Sequence, residues 1–309
     1  MNSESNQKLD NTYVWNPWHG CHKCSKGCLR CYIFEDDRNK GINTNKIKLN
    51  RTQFRLPVRK EKRQNKLVET YELSYKVPSG SIINVCQTSD FFIEEADIWR
   101  NEAWEFIHRR NDCFFIIETK RPERIRQCLP SNWLLGWENV MIKISVEDDN
   151  TAYTRMQLAL ELNIKHLGIT IAPMLEPMDI RPYLSSGLID IVEIRGESYK
   201  GYDGIATILD YTWVEDIKNQ CIEYDTKFKF VSTGTRLRVK DGKVITILSR
   251  SDEHGLADFY ELNNGEDIGI DWKETAKKIK QQELIEEAYK INQLIRMENE
   301  RHGADSISK

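Results

Sequence analysis

Short apolar runs recur along the chain up to about residue 235, and each is followed by a polar turn and a helix-like stretch. This alternation is typical of βα units, whose strands pair in parallel. The runs are almost continuously apolar, which indicates strands that are covered on both faces. Seven such runs make six or seven βα units, and they lie at residues 12–16, 81–87, 113–119, 140–146, 166–172, 189–194 and 227–233.

The succession of these units predicts an α/β protein, a partial or full (β/α) barrel of the TIM-barrel type. A doubly wound open sheet is the alternative. We expect one barrel domain over residues 1–235 and a C-terminal extension over residues 236–309. The extension should contain a β-hairpin that turns at Asp241-Gly242, followed by a long charged helix over residues 271–300.

The distribution of apolar residues and cysteines indicates the cellular compartment of the protein. No apolar stretch approaches the ~20 residues that span a bilayer, and the polar N-terminus lacks a signal-peptide core. We therefore expect a cytoplasmic protein with no membrane partner. In that compartment the eight cysteines should be thiols or ligands rather than disulfides. Four of them lie in apolar or helical context and are predicted to be core or surface thiols: Cys86, Cys113, Cys128 and Cys221.

The other four cysteines, Cys21, Cys24, Cys28 and Cys31, lie within eleven residues. Cys24, Cys28 and Cys31 have C-x3-C-x2-C spacing, and replacing Cys24 by Cys21 gives C-x6-C-x2-C. Densely spaced cysteines are typical of iron–sulfur loops. Three cysteine ligands leave one iron of a cluster without a protein ligand, as in the radical S-adenosylmethionine enzymes. The loop resembles the C-x3-C-x2-C loop of those enzymes in spacing and in its position after the first strand.

A zinc site formed by all four thiolates is the alternative. Zinc-binding cysteine pairs are usually separated by a dozen or more residues, whereas only three residues separate the two pairs here. A disulfide or redox pair is disfavoured by the compartment. Two loop histidines, His19 and His22, are additional candidate ligands, although hydrogen-bonding neighbours are the more common role for such residues.

Polar residues follow the predicted strands, where a βα barrel carries its working residues. Any single Ser, Thr or Asp among them is explained equally well as a helix cap. As a set, and especially through Lys120, Arg121 and Arg195, they predict a pocket for an anionic group, because guanidinium binds carboxylate and phosphate bidentately. The candidate cofactor-binding residues are Asp90, Lys120, Arg121, Glu147, Arg195, Gly196, Glu197 and Ser198.

The N-terminal motif is Trp15-Asn16-Pro17-Trp18-His19-Gly20-Cys21, followed by Gly27-Cys28 and Cys31-Tyr32. Later segments include Thr88-Ser89-Asp90-Phe91, Thr119-Lys120-Arg121-Pro122-Glu123-Arg124, Ser145-Val146-Glu147, Leu175-Glu176-Pro177, Gly196-Glu197-Ser198 and Thr233-Gly234. Together they resemble a phage-associated family of three-cysteine proteins of unknown function. The resemblance implies a barrel related to the radical S-adenosylmethionine enzymes, with cluster ligands at Cys21, Cys28 and Cys31. It makes Cys24 the extra cysteine, whereas the first spacing favours Cys24, which stays an alternative ligand.

These observations predict an iron–sulfur protein, a radical S-adenosylmethionine-type enzyme of unknown substrate with a 4Fe–4S cluster and an electron donor. Glu197 and Asp90 are expected to contact the ribose or amino group of S-adenosylmethionine. A zinc-stapled barrel that binds nucleic acid or protein without catalysis is the alternative. Three segments depart from the usual family pattern, and so leave the substrate open: Ala172-Pro173, Arg195-Gly196-Glu197-Ser198 and Ser232-Thr233-Gly234.

A basic stretch separates the cysteine loop from the second strand. Residues 38–66 hold eleven Lys or Arg against one acid, Glu61. Because the stretch follows the cysteine loop, we expect it to flank the barrel mouth, where it would bind nucleic acid by neutralising phosphates. A solvated charged helix or loop is an equally good interpretation, since Phe54 is the one aromatic residue in the stretch. The predicted partner is therefore a nucleic acid or another phosphate-bearing substrate.

Overall fold

Fourteen strands and seven α-helices are seen in the computed structural model, which describes residues 11–65, 70–199, 206–247 and 249–262. The strands are β1 (Thr12–Trp15), β2 (Trp18–His19), β3 (Lys48–Leu49), β4 (Lys60–Asn65), β5 (Thr70–Tyr75), β6 (Ile82–Val85), β7 (Phe114–Thr119), β8 (Val140–Val146), β9 (His166–Ile171), β10 (Ile189–Arg195), β11 (Leu209–Asp210), β12 (Lys227–Ser232), β13 (Arg236–Arg238) and β14 (Val244–Thr246). The helices are α1 (Tyr32–Asn39), α2 (Asp97–Arg109), α3 (Pro122–Cys128), α4 (Asp149–Leu160), α5 (Arg181–Leu184), α6 (Tyr211–Glu223) and α7 (Arg250–Leu262).

Seven parallel strands form the central sheet, in the order β1-β6-β7-β8-β9-β10-β12. This order follows the sequence without reversal, so the sheet is not doubly wound, because a doubly wound sheet reverses direction at a switch point. The sheet curls into a half-barrel, which confirms the predicted α/β class and is compatible with a partial barrel. Within the described ranges no strand pairs β12 with β1, so a full barrel is not formed by these residues.

Two neighbouring strands of the sheet differ in how completely their residues are buried. Every residue of β8 except Met141 is buried, as predicted for a strand covered on both faces. In β7, by contrast, buried residues such as Phe115 and Ile117 alternate with half-buried ones. The half-buried face of β7 includes Glu118, which lines a cavity. Phe114 and Ile116 share this half-buried face, so β7 is less completely buried than its apolar pattern predicted.

The tryptophans of the N-terminal motif have a structural role. Trp15 and Trp18 are fully buried. The indole nitrogen of Trp15 donates to the carbonyl oxygens of Gln53 and Phe54, each at 3.1 Å. The indole nitrogen of Trp18 donates to the carbonyl oxygen of Asp90, also at 3.1 Å. Buried indoles with paired N–H groups therefore fix the segment that precedes the cysteine loop.

The basic stretch is ordered differently from the prediction. Its first part includes the end of α1 and all of β3, and β3 pairs with β2 beside the cysteine loop. Its second part enters an antiparallel hairpin, β4–β5, rather than a solvated helix or loop. The fully buried Arg110, at the end of α2, donates to the carbonyl oxygens of Pro57 and Val77. That contact lies at the N-terminal edge of the sheet, so the expectation that the whole stretch flanks the mouth is wrong for its second part.

The described part of the C-terminal extension is joined to the barrel. The predicted hairpin is present as antiparallel β13 and β14, with Gly242 in the turn at φ +87. Strand β13 also pairs with β11, and α7, which the sequence analysis did not predict, packs against β12. The predicted helix over 271–300 lies outside the described residues. Among the helices of the described ranges, none combines the length and apolar character that crossing a bilayer requires.

Candidate functional site

A cavity of about 430 Å³ opens at the C-terminal edge of the sheet. Its wall is formed by the cysteine loop, by the segments after the strands of the central sheet, and by α7. Glu147 does not line it, because this carboxylate is fully buried. The other seven predicted cofactor-binding residues all line it: Asp90, Lys120, Arg121, Arg195, Gly196, Glu197 and Ser198.

The four cysteines of the loop are divided between two pockets. Cys21, Cys28 and Cys31 line the large cavity. Cys24 is exposed and lines a second pocket of about 410 Å³ that also contains Asp148. The Sγ atoms of Cys24 and Cys28 are 3.9 Å apart, so the loop passes between the two pockets at this point. The other four cysteines, predicted to be core or surface thiols, are free and buried: Cys86, Cys113, Cys128 and Cys221.

The thiols of the cavity have unequal acidities. Burial raises the pKa of Cys21 to about 12, although the Arg121 guanidinium, 3.9 Å from its Sγ, opposes this change. Burial also raises the pKa of Cys31. A hydrogen bond from the Cys24 thiol lowers the pKa of Cys28 to about 4, despite the opposing effect of burial. A metal that uses all three cavity cysteines must therefore displace protons from Cys21 and Cys31.

In the described part of the chain, no three Cys, His, Asp or Glu side chains are arranged to hold one metal ion. The thiolate ligands of an iron–sulfur cluster bind different iron atoms, so their sulfur atoms need not approach a common point. The loop histidines have other partners, as expected: His19 bonds to buried Asp37, and His22 bonds to Glu95.

Glu147 fastens the cysteine loop to the barrel. Its carboxylate accepts hydrogen bonds from the Ser25 hydroxyl at 2.6 Å, from Lys120, and from Arg155 at 3.0 Å. Gly27 packs directly on the same side chain, since a Cβ at position 27 would lie 2.4 Å from Cγ of Glu147. These contacts hold the cysteine loop against the barrel, and the predicted role of Glu147 in binding a cofactor stays a prediction.

Glu197 connects the loop to the end of β10. Its buried carboxylate accepts hydrogen bonds from Arg30, at 3.1 Å, and from the backbone N–H of Thr207, at 2.7 Å. The preceding Gly196 packs against the neighbouring chain, because a Cβ there would lie 2.1 Å from the carbonyl oxygen of Thr233. The residue type at Gly196 is thus set by close backbone contact.

The basic side chains predicted to bind an anion each have a carboxylate partner already. The pairs are Lys120 with Glu147, Arg121 with Asp90, and Arg195 with both Glu118 and Glu193. Burial opposes ionisation of Glu118, but the charge of Arg195 outweighs it and holds the pKa of this carboxyl below its usual value. These cations therefore stabilise the wall of the cavity and are neutralised within it.

Helix α7 adds three polar side chains to the wall: Arg250, Glu253 and His254. The Arg250 guanidinium carbon lies 4.2 Å from the centroid of the Tyr32 ring. Buried Glu253 accepts a hydrogen bond from Ser198, at the end of β10. Sequence reasoning missed these residues because it placed them beyond the barrel domain.

A signal for α7 is present in the sequence. Leu256, Ala257, Phe259 and Tyr260 are buried, and they recur at the spacing of one face of a helix. This amphipathic pattern could have located a helix over residues 250–262. Its packing against β12 could not have been inferred from the pattern alone.

Fold and site together define an α/β half-barrel whose C-terminal edge holds a cavity lined by three cysteines and by paired charges. Residues 8–293 match the family model described as "Protein of unknown function (DUF5131)", and the chain belongs to this family. The predicted resemblance to a family of unknown function is thereby confirmed. Neither a curated protein nor a solved structure matches the chain.

Proposed function

We propose that the chain binds a 4Fe–4S cluster through Cys21, Cys28 and Cys31 and acts as a radical S-adenosylmethionine-type enzyme. One observation carries the proposal: these three thiols line a single cavity at the C-terminal edge of the sheet, whereas Cys24 faces another pocket. Barrel enzymes hold their reactants at this edge. The division also supports the ligand set implied by the family resemblance over the set that includes Cys24.

The chain's own residues would position the cofactor. With an external electron donor, the cluster and S-adenosylmethionine together supply hydrogen-abstraction chemistry. Glu197 and Asp90 present carboxylates at the wall for the amino and ribose groups. Since Glu197 is paired with Arg30 and Asp90 with Arg121, cofactor binding at either carboxylate requires that its arginine moves away. Arg121, close to Cys21, favours the thiolate form that a cluster needs.

The phage association that the family resemblance implies belongs to the same proposal. The alternative function, a zinc-stapled binding barrel, has less support. A structural zinc site needs four ligands around one ion. Cys24 lines the second pocket and the other three thiols line the cavity, although the Sγ of Cys24 lies 3.9 Å from that of Cys28.

A nucleic acid remains the proposed macromolecular partner, bound by the first part of the basic stretch. Arg38, Lys40, Lys46, Lys48 and Arg51 are all exposed. No carboxylate lies within ion-pair distance of these five in the described part of the chain. They lie on α1, on β3 and in the adjoining turns, next to the cysteine loop, so a bound strand would pass close to the mouth of the cavity.

The test is anaerobic purification with iron, sulfide and zinc analysis, followed by electron paramagnetic resonance of the reduced protein. About four irons per chain, with a spectrum that changes when S-adenosylmethionine is added, is the expected result. Stoichiometric zinc without iron would contradict the proposal and favour the binding barrel. A cluster whose spectrum ignores S-adenosylmethionine would contradict the radical chemistry.

Serine variants test the ligand set separately. We expect Cys21→Ser, Cys28→Ser and Cys31→Ser each to lose most of the iron, and the matched Cys24→Ser to keep it. Retention of the iron in Cys21→Ser together with its loss in Cys24→Ser would mean that the C-x3-C-x2-C set is the true one.

A further inference from the structure

Arg250 differs from the other cations of the cavity wall in its charge environment. Arg30, Lys120, Arg121 and Arg195 each contact at least one carboxylate. For Arg250, no carboxylate partner is found among the described residues. An exposed guanidinium on a cavity wall without an internal counter-charge is available to bind an anion from solution.

The aromatic ring beneath Arg250 holds it in place without using its hydrogen bonds. The hydroxyl of Tyr32 donates to the carbonyl oxygen of Gln87, which fixes the ring at the start of α1. The Arg250 guanidinium lies over this ring, 4.2 Å from its centroid. Because stacking occupies the face of a guanidinium, the N–H donors at its edge stay available for a ligand.

His254 lies one helical turn further along α7, so it shares a face with Arg250. Its Nδ1 is 2.6 Å from the carbonyl oxygen of Val231. A carbonyl oxygen only accepts, so Nδ1 carries the proton and Nε2 is left for a ligand. Both side chains line the same cavity as the cysteines.

We propose that Arg250, stacked on Tyr32, and His254 form the subsite that binds a phosphate group of the substrate. A phosphate suits two separate partners better than a carboxylate does. Two of its oxygens can accept a forked pair from the guanidinium while the P–OH group of the monoanion donates to Nε2 of the imidazole, whereas a carboxylate uses both oxygens on the fork. The inference deepens the proposed function, on which it rests for the presence of a substrate in this cavity, and it names the charged group of that substrate.

The experiment uses the full-length chain, both free of metal and after cluster loading, without S-adenosylmethionine. The side-chain nitrogen resonances of Arg250 and His254 are followed by NMR while inorganic phosphate, or acetate at matched ionic strength, is added. We expect phosphate to shift both resonances and to saturate, and acetate to have little effect. Arg250→Gln should weaken phosphate binding about tenfold, equivalent to about 1.4 kcal/mol.

The matched control is Arg181→Gln, which removes an exposed arginine that is paired with Asp179 and Glu223, outside the cavity. It should bind phosphate like the parent chain. Should Arg250→Gln lose its fold, judged by circular dichroism, Arg250→Lys serves instead, because it keeps the charge and loses the planar fork.

Three results would overturn the inference: no saturable shift with phosphate, equal binding by Arg250→Gln and the parent chain, or tighter binding of acetate than of phosphate. The titration of the metal-free chain does not depend on iron. Loss of phosphate binding with an intact cluster would therefore refute the subsite alone, and absence of a cluster with intact phosphate binding would refute the proposed chemistry alone.

Discussion

The hydroxyl of Ser25 donates a 2.6 Å hydrogen bond to the carboxylate of Glu147, across 122 residues of sequence. Ser25 lies between the second and third cysteines of the loop, and Glu147 directly follows β8. Because Glu147 is fully buried and also bonds to Lys120 and Arg155, it cannot follow movements of the loop. The position of the cysteines at the cavity is thus set by a carboxylate of the barrel rather than by the loop itself.

Replacing Glu147 by Gln should destabilise the fold and reduce iron incorporation. The change removes the charge that compensates two largely buried cations, and a buried ion pair that loses one partner costs about 3 to 5 kcal/mol. Urea unfolding and iron analysis measure the two effects. The matched control Glu123→Gln, at an exposed position, should change neither. Equal stability of the Glu147→Gln chain and its parent would contradict the positioning role.

Replacing Gly27 by Ala should displace the cysteine loop. The new Cβ would lie 2.4 Å from Cγ of Glu147, so one of the two segments must move. We expect a loss of about 1 to 3 kcal/mol, as for overpacking of a filled site, and a lower iron content. Gly255→Ala is the control, because nothing lies within 4 Å of its Cβ position in α7. Helix propensity predicts that this second variant is stabilised by about 0.5 to 1 kcal/mol.

Removing charge from the basic stretch should weaken nucleic-acid binding in a salt-dependent way. For the triple variant Lys46→Gln, Lys48→Gln and Arg51→Gln, the slope of log affinity against log salt should fall by about 2 on single-stranded RNA. Fluorescence anisotropy between about 50 and 200 mM salt measures it.

The control for the basic stretch removes three exposed charges elsewhere, Arg126, Lys227 and Lys229. It should leave the slope unchanged. If both triple variants altered the slope equally, the binding would be general electrostatics rather than a property of this surface.

The decrease in the free energy of unfolding at acidic pH should depend in part on Asp112. The hydrogen bond from Arg110 holds the pKa of Asp112 below its usual value. A lowered pKa in the folded state means that the ionised carboxylate stabilises the fold above the unfolded pKa and loses this effect as pH falls.

The free energy of unfolding of Asp112→Asn should therefore lie about 0.5 to 1 kcal/mol below that of the parent near pH 7, and the difference should shrink below about pH 4. Urea unfolding at several pH values measures the difference. Asp258→Asn, an exposed change on α7, is the control and should follow the parent at every pH. A difference for Asp112→Asn that grew towards low pH would have the wrong sign for this interaction.

Sequence patterns predicted the structural elements that are stabilised by interactions between residues close in the chain. The runs that contain Phe115 and Ile117 or Ile142 and Ile144 became strands because their apolar residues are buried within the sheet. Asp148, at the end of such a run, caps α4 in a capping box with Thr151, as expected for an acid at that position. The turn at Asp241-Gly242 likewise follows from residue types that favour a hairpin.

Local sequence patterns were enough to predict the succession of strands along the chain, the dense cysteine loop and the edge of the sheet where polar residues gather. Which thiols share a cavity depends on tertiary contacts, because Cys21 and Cys24 are only three residues apart in a loop whose path is held by Glu147. The tertiary structure also decided that Arg195 is neutralised by Glu118, 77 residues away, while Arg250 is not. Charge pairing and the packing of α7 depend on contacts between distant segments, and such contacts have no local sequence pattern.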